Sequence, residues 1–177
     1  NKGVGNAIML SVIVAVVFFG ICLLFLKPLL YVFGCTEIIY PYAFDYGKVI
    51  IIGLPFMIFC TVMSSIIRAD GSPKYAMIIM LSGCVLNVIL DAIFIFPLQL
   101  GVVGAAWATI TGQFVSAVIS ILYLKRFKIV TLDKEDLKLK AGVCGNICLL
   151  GISSFINQAT VVAVSAVANN LMKKYGA

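Results

Sequence analysis

The feature that most restricts this chain is a set of apolar runs, each long enough to cross a bilayer. A hydrocarbon core of about 30 Å takes roughly 20 helical residues. Runs over residues 7–33, 42–67, 75–96, 102–124 and about 141–172 meet that length, and none alternates in polarity. Barrel strands would be segments of about 10 alternating residues, so the expected fold is all-α, a polytopic transmembrane helical bundle. Composition agrees: 63% of the 177 residues are hydrophobic and 11% charged, against about 45–50% and about 25% in soluble domains. The net charge of +6 calls for no nucleic-acid partner, because the basic residues fall mainly in loops. Six cysteines are scattered singly without a CxxC pair, and the chain has no histidine. Metal and redox chemistry are therefore not expected. No nucleophile–base arrangement is visible either, so the chain is not read as an enzyme.

The first run carries Lys27 and Pro28 near its end. The second contains Pro55, which removes one backbone hydrogen bond and marks a candidate hinge. Residues 68–74, RADGSPK, form a polar turn. The fourth run opens GVVGAAWAT, where Gly101, Gly104, Ala105 and Ala108 would let a neighbouring helix approach closely. Residues 125–140 are too charged to span and suit an amphipathic helix on the membrane surface. The fifth run is longer than a bilayer needs, which predicts an interfacial part or a break near Gly151. It is also the most polar, with Asn157, Gln158, Thr160, Ser165, Asn169 and Asn170. Asn157, Gln158 and Asn169 are candidates for lining a substrate cavity. The start at Asn1 and the end just after an apolar run point to a fragment of a longer protein. Arg68, Lys74 and the basic residues of 125–140 place those two loops in the cytoplasm, and the loops 34–41 and 97–101, free of Lys and Arg, outside.

One carboxylate lies deep in an apolar run. Asp91 follows Asn87 by one helical turn on the same face. An intramembrane carboxylate costs roughly 2.5–3.5 kcal/mol on insertion scales, so it marks a functional site by default. Thr109, on the next run, falls at a similar depth when the helices are antiparallel. One carboxylate, one amide and one hydroxyl suit a proton or a hard monovalent cation such as Na⁺. No other metal is expected.

The pieces R-A-x-G (Arg68, Ala69, Gly71), N-x-x-x-D (Asn87, Asp91) and G-V-x-G-A-A-x-A-T (Gly101 to Thr109) resemble the multidrug and toxic compound extrusion (MATE) transporters. The stretch GISSFINQATVVAVSAVANNLMKKYG resembles the first helix of that family's second half, especially in the MepA-like branch. The resemblance implies a twelve-helix antiporter of two six-helix lobes. This chain would hold helices three to seven: residues 1–124 from the N-terminal lobe, a cytoplasmic interlobe linker at 125–140, and the first helix of the C-terminal lobe at 141–177. In DinF-like and archaeal relatives a first-lobe cation site uses residues matching Asn87, Asp91 and Thr109, with an Asp on helix one that lies outside this chain. The acidic residue that NorM-like relatives carry on helix seven is missing, since 141–177 holds no Asp or Glu.

The expected function is therefore a secondary multidrug antiporter. Entry of H⁺ or Na⁺, with no cofactor, would drive export of organic, often cationic compounds across the plasma membrane. The expected partners are drug-like molecules, the lipid bilayer and the remaining helices of the full-length chain. Two other readings are a flippase for lipid-linked oligosaccharides, which shares this general architecture, and a non-transporting membrane subunit. A basic central cavity would favour the flippase; the buried Asp and the polar fifth run count against the subunit.

Overall fold

The computed structural model describes residues 2–124 and 141–175. The amphipathic segment expected at 125–140 lies outside them. Six helices follow in order: α1 (Lys2–Leu24), α2 (Leu26–Val32), α3 (Tyr40–Ala69), α4 (Pro73–Ile95), α5 (Gly101–Leu124) and α6 (Ala141–Tyr175). All but α2 are long and apolar enough to cross a membrane, and the described residues contain no strand. The chain is a multi-pass membrane protein.

The first run, expected as one span over 7–33, is two helices. Pro28 explains the break. It has no N–H to give the Leu24 carbonyl, and its ring crowds that carbonyl, so α1 ends at Leu24 and the chain restarts at Leu26. Pro55 acts differently. It sits inside α3, which continues through it to Ala69. Of the two outcomes expected for the long fifth run, the break near Gly151 is not made, because α6 is continuous over 35 residues. A helical glycine costs about 1 kcal/mol relative to alanine. Opening the helix within lipid would strand several backbone groups at several kcal/mol each, so the continuous helix wins.

The turn between α3 and α4 is built from its own sequence. Gly71 takes φ 77°, the left-handed conformation that glycine adopts without a Cβ clash. The Ser72 N–H then donates to Ile67 O at 3.1 Å and the Gly71 N–H to Arg68 O at 3.1 Å. These two bonds form a Schellman closure, and Pro73 starts α4 at a position where no N–H is needed.

Beside this turn lies the apolar core: Ile8, Met63, Ile66, Ile67, Ala76, Ile79 and Tyr123. Asp70 is buried there with 1% exposure, and the Tyr123 hydroxyl donates to its Oδ2 at 2.8 Å. α3 is central, packing on α1, α4 and α5, and α4 packs closely along α5. α6 leans on α1. Elsewhere large apolar side chains such as Val16, Met77, Val88 and Leu150 face outward, as they must where lipid is the solvent.

Candidate functional site

The site grows out of the α4–α5 seam. On α4, Ile79, Gly83, Asn87 and Asp91 recur every four residues and share a face. The antiparallel α5 meets that face rung by rung. Nearest the α3–α4 turn, the Ser116 hydroxyl donates to Ile79 O at 3.1 Å. One turn on, Gly83 and Gly112 bring the two backbones together: a Cβ added to Gly112 would lie 2.6 Å from Gly83 O and 3.3 Å from the Asn87 Cβ. At the next rung the Asn87 amide donates from Nδ2 to Thr109 Oγ1 at 3.3 Å. Thr109 in turn donates to Ala105 O at 2.9 Å, within its own helix. Asp91 is the following rung, four residues from the end of α4. Its Oδ1 is buried and has no hydrogen-bond partner among the described residues.

These bonds assign the atoms. The Asn87 Nδ2 and the Thr109 proton are engaged, which leaves the Asn87 carbonyl oxygen, one Thr109 lone pair and the Asp91 carboxylate as the acceptors of the cluster. Energetics separates the roles. An interhelical hydrogen bond between membrane helices averages about 0.6 kcal/mol and reaches about 1.7. A buried polar atom without a partner costs about 1–3 kcal/mol, more if charged. The Asn87–Thr109 bond is thus a modest brace, whereas the one buried oxygen of the otherwise partly exposed Asp91 makes no such bond among the described residues.

A groove of about 350 Å³ lies between α3, α4 and α5. Its lining runs from Arg68 through Thr61, Ser64 and Gln113 to Asn87 and Thr109. It connects the basic end of the molecule to the cluster. Pro55 is on α3, two residues after Gly53, where an added Cβ would lie 2.9 Å from Ile110 and 3.0 Å from Gln113 Oε1.

The structure joins Asn87 to Thr109 across the α4–α5 seam and places Asp91 one turn further along the same face of α4. It does not bring Asn157, Gln158 or Asn169 there. All three are exposed on α6, and α6 touches neither α4 nor α5 closely. Gly101 was expected to permit close helix approach; instead nothing lies within 4 Å of its Cβ direction, and its φ of 55° makes it the turn into α5. The expected approach is made at Gly104, where an added Cβ would lie 3.0 Å from the Phe94 Cβ and 3.3 Å from Phe94 O on α4, and also at Gly83 and Gly112, which sequence reading passed over. The signal was present: both glycines sit one turn from Asn87 or Thr109 on the inward face. The buried Asp70–Tyr123 pair was also missed, because no spacing rule links residues 53 apart in sequence.

Comparison with known proteins adds an independent line. The MatE family model matches residues 2–93. The multidrug export protein MepA of Staphylococcus aureus (strain bovine RF122 / ET3-1) is 32% identical over 133 residues, which is 75% of this chain and 30% of that protein. MepA of Staphylococcus saprophyticus is also 32% identical, over 132 residues, 74% of this chain and 29% of the relative. The chain thus spans about a third of the length of the curated relatives it matches. Among solved structures, MATE in the bent conformation is 27% identical with TM-score 0.80, covering 89% of this chain and 41% of that one. A MOP superfamily transporter from Pyrococcus furiosus Vc1 (DSM3638) is 27% identical with TM-score 0.78, covering 95% of this chain and 35% of that one.

Proposed function

The chain belongs to the MatE family, and on that premise we propose that it forms part of a secondary antiporter that exports organic, often cationic compounds against inward flow of H⁺ or Na⁺. Asp91 is the residue that takes up and releases the coupling cation, and Asn87 and Thr109 supply neutral oxygens beside it. The observation that carries this reading is the Asp91 Oδ1: buried, without a partner among the described residues, one turn from a bonded amide–hydroxyl pair. A carboxylate so placed lowers the stability of the resting fold, and a bound cation relieves that cost. Cation binding thereby favours whichever helix packing encloses Asp91 best. The groove from Arg68 to Asn87 is the route by which the cation leaves on the cytoplasmic side. Pro55, lacking its backbone donor, is the hinge at which α3 yields. The identity of MepA as a multidrug export protein supports the substrate class, and the plasma membrane is the expected site of such export.

The test is Asp91→Asn in the full-length protein, with efflux of a cationic dye normalised to folded protein and with H⁺ and Na⁺ gradients imposed separately. Asparagine keeps the size but holds no exchangeable charge. Coupled efflux is expected to be lost while the amount of folded protein is retained or rises. Normal gradient-driven efflux by the variant overturns the assignment. The gradient that drives the parent protein identifies the cation.

A further inference from the structure

α6 is held to the rest of the chain at its two ends. At the basic end the Cys144 thiol lies 3.6 Å from Asn6 Oδ1. At the other end the Asn170 amide donates from Nδ2 to Val32 O at 2.8 Å. Beside it, a Cβ on Gly34 would lie 3.3 Å from the Asn169 Cβ, carbonyl carbon and oxygen. No residue between 142 and 172 is buried. The basic end also carries the covalent connection through residues 125–140. The geometry is that of a lever with its pivot at Cys144–Asn6 and its free end fastened at Val32–Gly34.

We propose that Asn169 and Asn170 form a releasable latch, which closes the end of the molecule away from the basic turn and opens during the transport cycle. The inference rests on the transport reading above. Its physical basis is the weakness and reversibility of the contact. Val32 O is one of the carbonyls at the C-terminus of α2, which a helix leaves without an internal donor. The neighbouring N–H groups of Phe33, Gly34 and Cys35 go to Leu29, Tyr31 and Leu30. Asn170 supplies a donor to Val32 O. The same Nδ2 also donates to Ala166 O at 2.9 Å within α6, so the amide keeps a partner after release. At the membrane surface, water can replace Asn170 at Val32 O. The lever is long: 26 residues from 144 to 170 span about 39 Å at a rise of about 1.5 Å, so a tilt of about 10° moves the tip by about 7 Å. Gly34, at φ 91°, has no side chain to block the return of Asn169.

The experiment uses the full-length protein in vesicles, with spin labels at Ile38 and Met172, which are 84% and 70% exposed, on a background freed of native cysteines in which Cys144 is replaced by serine, so that a donor to Asn6 remains at the pivot. Two distance populations are expected. Asn170→Leu should raise the ratio of long to short about 2- to 10-fold, as loss of one net hydrogen bond implies. A single population that Asn170→Leu leaves unchanged overturns the latch, whatever the protein transports. A second arm joins Gly34→Cys to Asn169→Cys, with Val32→Cys and Asn170→Cys as the substitute pair should Gly34→Cys not fold. Oxidation is expected to crosslink the pair, collapse the distances to the short one and stop dye efflux, with reduction restoring both. Failure of both pairs to crosslink, or undiminished efflux by crosslinked protein, overturns it too. Absence of efflux in the reduced and parent proteins counts against the transport reading and leaves the distance measurement to decide the latch.

Discussion

Asp70, fully buried, and Asp91, with one buried oxygen, show why a carboxylate must be judged by its surroundings. Both lie in helical membrane protein, yet Asp70 accepts a 2.8 Å bond from Tyr123, whereas Asp91 has a buried oxygen without a partner among the described residues. The first is part of the architecture and the second is the one proposed for the chemistry, and substitution should separate them. Tyr123→Phe removes a bond to an acidic group, worth about 1.5–3 kcal/mol. A lower unfolding midpoint in a detergent titration is expected, and an unchanged midpoint would show that the bond contributes nothing. Asn87→Ala or Thr109→Ala removes a neutral brace of about 0.6 kcal/mol. Coupled efflux should fall by only about 3-fold in each case, measured beside the much larger loss for Asp91→Asn. An equal loss in all three would mean that the amide and hydroxyl are as necessary as the charge.

Among elements, the tightest part of the α4–α5 seam depends on two hydrogen atoms where other residues carry a Cβ. A methyl on Gly83 would collide with Ser116 Oγ, and one on Gly112 would meet the Gly83 carbonyl. Overpacking of this kind costs about 1–3 kcal/mol, so Gly83→Ala and Gly112→Ala should each lower the melting temperature of the purified full-length protein. Gly145, inside α6 with nothing within 4 Å, is the control. There alanine should be neutral or should stabilise by up to about 1 kcal/mol. A matching loss at Gly145 would show that the seam is not the cause. Pro55 makes a dynamic counterpart. Pro55→Ala restores the missing donor to α3, and should raise thermal stability while slowing efflux; faster efflux would dismiss the hinge.

For the whole molecule the open question is sidedness, because helices alone fit a membrane either way up. The basic turn at Arg68–Lys74 predicts a cytoplasmic end and the α4–α5 turn an external one. The side chains suited to labelling come from the structure: Ser72 is buried, whereas Leu98 is 54% exposed and Lys74 is exposed. In a cysteine-free full-length protein, an impermeant thiol reagent applied to intact cells should label Leu98→Cys and spare Lys74→Cys. The reverse pattern would invert the molecule and place the groove from Arg68 on the outer face.

Much of this was legible along the chain. Length and apolarity determined the helices, because lipid leaves a backbone no partner but itself. The turn at 70–73 was legible in Asp-Gly and Ser-Pro, and Asn87–Asp91 in a four-residue spacing that is a purely local property of a helix. Proline was harder: Pro28 ended a helix and Pro55 did not, and packing is what differs between the two, since α3 is braced by α1, α4 and α5. The glycine seam, the Asp70–Tyr123 bond and the fastening of α6 to Val32 join residues 29 to 138 positions apart. No periodicity encodes such pairs. They follow from which helix faces meet, and that is decided by side-chain shape across several helices at once, in three dimensions.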